Sequence, residues 1–274
     1  MGATMERIAV GDAELEVDDH GSGEPVIFIH GSGPADSFLP VAIEPAVRDD
    51  YRVIRYHRRG SAGSSPVQGP VAIARQAADC RALLGALGIA KAHVVGHSYG
   101  GAIALQLALD APEAVQTLAL FELAMLSVPS AQQLADAVGP LVEQYMSGDR
   151  VGAGHGFFAL VDGPDWREEI GRTVPGGPEQ AEKDVATFFE CELPSIAEWR
   201  FGPEEAAKIQ QPVLYLLGSE SQPVFAESRA LLGSWLPRVE QDVLPGANHL
   251  MHMRHPAEAA TRLVAFLKRH PLAA

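Results

Sequence analysis

The sequence predicts an α/β fold: a mostly parallel, eight-stranded sheet flanked by helices, with a mainly helical insert late in the chain. Three observations lead there. Short apolar runs alternate with segments of helical periodicity. The runs are continuous rather than alternating, which suits strands covered on both faces. Between about residues 125 and 212 the alternation stops, and Gly, Pro, aromatic and acidic residues mix without a convincing strand. A compact domain does not leave so long a stretch unstructured, so it reads as a helical lid over the strand ends.

Residues 8–10 and 15–17 alternate as a short hairpin. Residues 26–29, Val-Ile-Phe-Ile, are the first continuous buried run and end at His30-Gly31; residues 51–56 are the next strand. Ile73, Ala77, Cys80, Leu84 and Leu87 recur at alternating four- and three-residue steps, an amphipathic helix that stops near Gly88. A strand precedes Gly96, a helix covers 102–109 up to Asp110-Ala111-Pro112, and 115–121 is a further strand. Within the insert, 131–145 and 179–191 are candidate helices. Strands at 213–217 and 239–244 then bracket a helix around 225–232, and a last helix runs over 256–267. The expected core is residues 1–124 and 210–274, and the expected lid is 125–209. In such sheets ligands bind at the carboxyl ends of the strands.

With 274 residues, 47% of them hydrophobic, the chain has ample material for a buried core. Its 35 acidic against 21 basic residues give a net charge of −14, which argues against a phosphate-tracking surface. The one basic cluster, Arg55 to Arg59, is interrupted by Tyr56 and His57 and fits a turn beside the site. No apolar run approaches the ~18 residues of a membrane span, and Met1 to Glu6 carries neither a basic flank nor an apolar h-region. The expectation is a cytoplasmic protein with a small-molecule substrate and no nucleic-acid or membrane partner; a homodimer through the lid surface stays open. Cys80 and Cys191 form no CxxC pair and read as reduced, buried thiols. His249, His252 and His255 recur every three residues without acidic or cysteine partners at zinc spacing, so neither metal nor cofactor is expected.

The chemistry concentrates at His93-Val94-Val95-Gly96-His97-Ser98-Tyr99-Gly100-Gly101, which reads as strand, sharp turn and helix. A serine hydroxyl is a weak nucleophile and must stand clear of its neighbours beside a general base. Gly96 and Gly100 let strand and helix approach closely while Ser98 takes a strained conformation at the apex. The base candidate is His249, in the loop after the last strand. His97 flanks the serine but faces away from it and is expected to pack or hydrogen-bond. For the developing oxyanion, one N–H is expected from Tyr99 at the start of the helix. The other comes from the His30-Gly31-Ser32-Gly33-Pro34 loop, from Ser32 or, one residue on, from Gly33.

These motifs, with Arg59-Gly60-Ser61-Ala62-Gly63-Ser64-Ser65 after the fourth strand and Pro245-Gly246-Ala247-Asn248-His249, resemble the α/β-hydrolase fold superfamily along the whole chain. The resemblance is weakest in the lid. It implies the nucleophile, acid, histidine order of that superfamily, and it exposes a departure. Many members carry the triad acid as an Asp three residues after a Gly that ends the strand following the lid; here Gly218-Ser219-Glu220-Ser221 puts Ser221 in that place. Two acids remain: Glu220, one residue early, and Glu122, after the preceding strand, where certain haloalkane dehalogenases and lactonases of the superfamily carry theirs. Glu122 is preferred, because a neighbour of position 221 on the same turn would face elsewhere.

The expected function is hydrolysis of the ester or lactone bond of a small, rather apolar molecule through Ser98, His249 and Glu122. Members with dehalogenase or epoxide hydrolase chemistry carry Asp where Ser98 stands. The alternatives are carbon–carbon bond hydrolysis, as in meta-cleavage product hydrolases with similar His-Gly loops, and a ligand-binding protein on a hydrolase scaffold. His30, Phe157, Phe158, Trp166, Phe188 and Phe189 are the candidate substrate-binding residues, with lid packing as the competing role for the aromatic ones.

Overall fold

A computed structural model describes residues 5–272; Met1–Thr4, where no targeting segment is expected, and Ala273 and Ala274 lie outside the described residues. Eight strands form one sheet in the order β1-β2-β4-β3-β5-β6-β7-β8. They are β1 (Glu6–Val10), β2 (Ala13–Gly21), β3 (Glu24–Ile29), β4 (Tyr51–Tyr56), β5 (Ala92–His97), β6 (Val115–Phe121), β7 (Val213–Gly218) and β8 (Val239–Leu244). β1 and β2 pair antiparallel, as does β2 with β4; the rest of the sheet is parallel.

The continuous apolar runs follow from this topology. Side chains alternate faces along a strand, and helices cover both faces here. Ile27, Ile29, Val94, Leu118, Leu120 and Tyr215 point to one side, packed with residues of helices Ile73–Ala86, Tyr99–Asp110 and Pro223–Trp235. Val26, Phe28, Val95, Ala119, Phe121 and Leu216 point to the other, against Leu39–Ala42, Pro45–Arg48 and Pro256–Arg269. The centres of β3, β5 and β7 are apolar because neither of their faces is wet, whereas β8, at the edge of the sheet, is only half-buried and carries Glu240, Gln241 and Asp242.

Between β6 and β7 every regular element among the described residues is helical: Ala131–Met146, Arg150–Val161, Trp166–Thr173, Gly177–Lys183, a π-helical turn Thr187–Glu192, Leu193–Glu198 and Pro203–Ala206. The helix expected over 179–191 is thus two pieces, Gly177–Lys183 and Thr187–Glu192. The helix expected at 102–109 starts three residues earlier, at Tyr99, directly after Ser98. None of these helices is long and apolar enough to cross a membrane.

Candidate active site

β5 delivers Ser98 to the centre of the sheet's carboxyl edge. Its φ of 51° and ψ of −120° are unusual for a residue with a side chain and are held from outside: its N–H donates to the carbonyl of Glu122 at 2.8 Å. The two elbow glycines are explained by contact. A Cβ on Gly96 would lie 2.5 Å from the Gly100 carbonyl oxygen, and one on Gly100 would collide with the backbone of Ile29 and His30. Strand, helix and the loop after β3 meet here with no room for a methyl group.

His249 follows β8. Its Nδ1–H donates to Glu122 Oε2 at 2.7 Å, leaving Nε2 as the free nitrogen, and its ring stacks on Phe225 with centroids 4.1 Å apart. Glu122 is completely buried and itself sits at a positive φ of 49° after β6. Its Oε1 accepts from the Gly218 N–H at 2.6 Å and from the Ser221 hydroxyl at 2.5 Å. Each carboxylate oxygen is therefore occupied. Glu220 is exposed on the turn, and among the described residues its side chain makes no hydrogen bond or ion pair with His249. The histidine loop is pinned from two directions. Asn248 donates to the backbone and side chain of Asp162, and the His97 Nε2–H donates to the His249 carbonyl at 3.0 Å. Burial holds the His97 pKa well below the ordinary histidine value, with the neighbouring His252 and His249 acting in the same direction. Burial likewise puts His252 at about 3. His97 and His252 are thus neutral packing partners at neutral pH.

The loop after β3, where the second oxyanion donor is expected, is held by Arg58, a residue sequence reasoning did not single out. It is among the largest fully buried side chains. Its guanidinium donates to the carbonyls of His30 at 3.0 Å and Gly31 at 2.9 Å and to Gln76 Oε1 at 3.0 Å, lies over the Tyr99 ring, and pairs with Glu192 at 2.5 Å. With two successive carbonyls turned onto Arg58, the next amide is Ser32. Neither the Ser32 nor the Tyr99 N–H has an acceptor among the described residues, and both residues line the same cavity as Ser98 and His249. Gly33, the alternative donor, does not line it; its φ of 110° lets it pass under the ring of Phe158, which a Cβ would strike at 2.6 Å.

The cavity has a volume of about 340 Å³, and its remaining wall is almost entirely apolar, including Leu123, Leu134, Val138, Phe157, Phe188 and Ile196. Two of the expected substrate-binding residues, Phe157 and Phe188, lie on it with their rings stacked 3.9 Å apart. The other four do not. His30 is buried beneath the loop, its Nδ1 bonded to the Gly31 carbonyl and its Nε2 accepting from the Arg58 N–H, so both nitrogens serve the fold. Phe158 and Trp166 pack together with Leu250 and Met253, and Phe189 stacks on Tyr145. The basic cluster marked the right turn, but only the buried pairing of Arg58 gives it meaning; Glu192 carried no signal beyond its charge. Among the described residues no group of three or more His, Cys, Asp or Glu is arranged to hold a metal ion.

Comparison with known proteins agrees with this architecture. The chain is 26% identical over 263 residues to the 2-hydroxymuconate semialdehyde hydrolase of Pseudomonas putida, covering 90% of this chain and 87% of that protein. Over a shorter stretch the chain is 39% identical, across 110 residues, to RutD of Azorhizobium caulinodans, a candidate carbamate hydrolase, of which the match spans 41%. The enol-lactonase of Burkholderia xenovorans LB400 superposes with a TM-score of 0.79 at 20% identity, over 96% of this chain and all of that one. At that identity the likeness shows the fold alone. The alpha/beta hydrolase family model matches residues 26–262, from the first strand of the parallel sheet to the last helix, and the chain belongs to that family.

Proposed function

We propose that this hydrolase is a cofactor-independent serine hydrolase that cleaves the ester or lactone bond of a small, rather apolar molecule. The observation that carries the reading is the Glu122–His249 hydrogen bond, made at the rim of the cavity that Ser98 also lines. Ser98 Oγ attacks the carbonyl carbon while His249 Nε2 takes its proton, and Glu122 stabilises the imidazolium through Nδ1–H. The Ser32 and Tyr99 N–H groups hold the oxyanion. Collapse of the tetrahedral intermediate expels the alcohol, protonated by His249. Water activated by the same nitrogen then releases the acid from Ser98.

Carbon–carbon bond hydrolysis is the second reading, favoured by the relative from Pseudomonas putida that matches over 90% of the chain. Against it stands the cavity wall, which among the described residues carries no Lys or Arg to hold the carboxylates of ring-cleavage products. The deciding experiment is hydrolysis of a short activated ester by the wild type and Ser98→Ala. Activity abolished in the variant supports the proposal. Turnover of vinylogous diketone acids with esters and lactones untouched replaces it with the second reading. Tight binding of a small ligand, with Ser98 inert to every acylating probe, replaces it with a binding role.

A further inference from the structure

Glu192 is the cavity residue whose chemistry the proposed hydrolysis leaves unused. It closes the π-helical turn Thr187–Glu192, a departure from α-helix that recurs at functional sites, and both Phe188 and Glu192 reach the cavity wall from it. Its side chain is 3% exposed, and Oε1 is held by Arg58. Arg58 also donates to His30, Gly31 and Gln76. Glu192 Oε2 has no hydrogen-bond partner among the described residues, although a carboxylate oxygen accepts up to two. Leu193, Ile196 and Ala197 line the same cavity without a side-chain donor, and the Tyr99 hydroxyl, which accepts from Gln76, makes no hydrogen bond to Glu192. A buried acceptor left in this state is costly, and a ligand that brings a donor recovers the loss.

We infer that Glu192 is a specificity residue that selects ligands bearing a neutral hydrogen-bond donor, a hydroxyl or amide N–H, through its free Oε2. Arg58 already neutralises the carboxylate, so a neutral donor suits it better than an ammonium group, and an anionic substituent is disfavoured. A site built to receive a donor discriminates strongly against the isostere that lacks one, whereas an apolar wall does not. As a statement about turnover, the inference rests on the hydrolytic reading; as a statement about binding, it does not.

The test uses isosteric esters followed by acid release: 2-hydroxyethyl, 2-fluoroethyl and propyl butanoate, and ethyl 3-hydroxybutanoate against ethyl 3-methylbutanoate. In at least one series the hydroxyl compound is expected to have a kcat/KM about tenfold or more above its partners, with the fluoro compound no better than propyl. In Glu192→Gln, Arg58 keeps the amide oxygen and the NH2 replaces Oε2; the hydroxyl can then only accept a weaker, neutral hydrogen bond, so the preference falls severalfold. Equal or lower rates for the hydroxyl compounds throughout overturn the inference without needing a variant. So does a preference that is undiminished in Glu192→Gln in protein whose thermal unfolding shows it folded. If the wild type cleaves none of these esters, the hydrolytic reading fails by itself. Calorimetric binding of the same series to Ser98→Ala, with and without Glu192→Gln, then decides the inference separately.

Discussion

Replacing Glu122 by glutamine changes one atom, and the surrounding hydrogen bonds dictate where that atom goes. Oε1 receives the Gly218 N–H at 2.6 Å and the Ser221 hydroxyl at 2.5 Å, whereas Oε2 receives His249 Nδ1–H at 2.7 Å. A hydroxyl can rotate to accept, but a backbone N–H cannot, so the glutamine oxygen stays at Gly218 and its NH2 turns to the imidazole. Two donors cannot share that contact. The ring proton moves to Nε2, the nitrogen that the proposed mechanism needs free to take the proton of Ser98, and the imidazolium of that mechanism loses its counter-charge. For triad acids this combination costs on the order of 10³–10⁴ in turnover, about 4–5 kcal/mol of barrier. Initial rates on an activated ester for wild type, Glu122→Gln and Glu220→Gln, with thermal unfolding of each, measure it. Glu220→Gln is expected to match the wild type. Near-normal turnover in a folded Glu122→Gln refutes the reasoning, and a large loss in Glu220→Gln beside it would move the acid to the turn after β7.

Three further outcomes are expected. Gly100→Ala drives a methyl group into the backbone of β3, so it should cost roughly 3 kcal/mol, about 6–12 °C in Tm for a chain of this size; an unchanged Tm would mean that the helix can back away from the sheet. Burial, with His249 adding to it, keeps His252 at about 3 in the folded protein, below its ordinary value, so the unfolded chain takes up the proton first. Its contribution is complete above about pH 6.5 and is lost as pH falls toward 3, by roughly 2–3 kcal/mol at pH 4.5. His252→Leu should therefore flatten the acid limb of a Tm–pH profile, and an identical limb would assign acid sensitivity elsewhere. Phe188→Ala opens the cavity wall and should shift ester preference toward longer chains, whereas Phe189→Ala, whose ring packs on Tyr145, should lower Tm without changing that preference. A common shift in both would mean that the cavity boundary is drawn wrongly.

The sheet was legible because parallel strands covered on both faces must be written as continuous apolar runs, and 26–29 or 213–217 admit little else. The elbow was legible because close approach at Gly96 and Gly100 excludes any side chain. Residues acting through distant partners left no comparable trace. Arg58 and Glu192 are 134 positions apart, and nothing periodic connects them. His30 opens the loop after β3 and so reads as a ligand contact, yet its ring nitrogens are engaged by the Gly31 carbonyl and the Arg58 N–H. The insert aromatics are spread over the helices Arg150–Val161 and Trp166–Thr173 and the π turn. Whether a ring faces the cavity, as Phe188 does, or a neighbouring helix, as Phe189 does, turns on a register that a π turn shifts and an α-helical periodicity cannot supply.

The choice of acid stayed open in the sequence for a structural reason. β6 and β7 are adjacent parallel strands with Phe121 in register with Leu216, so the segments leaving them, at 122 and at 218–221, emerge side by side facing the histidine loop. Either can bring a carboxylate to His249. What separates them is backbone conformation. Glu122 holds a positive φ that aims its side chain across the end of β7. Gly218, under the loop at Ala247 and Asn248 with no space for a Cβ, offers only its N–H. Ser221 reaches the same carboxylate oxygen from the turn. The place where many relatives put an acid is occupied here by a hydroxyl donor to an acid arriving from the neighbouring strand, so the two seats share one hydrogen-bonded cluster. A serine at 221 is then a partner of Glu122, and an aspartate there would bring a second negative charge to an oxygen that already holds one.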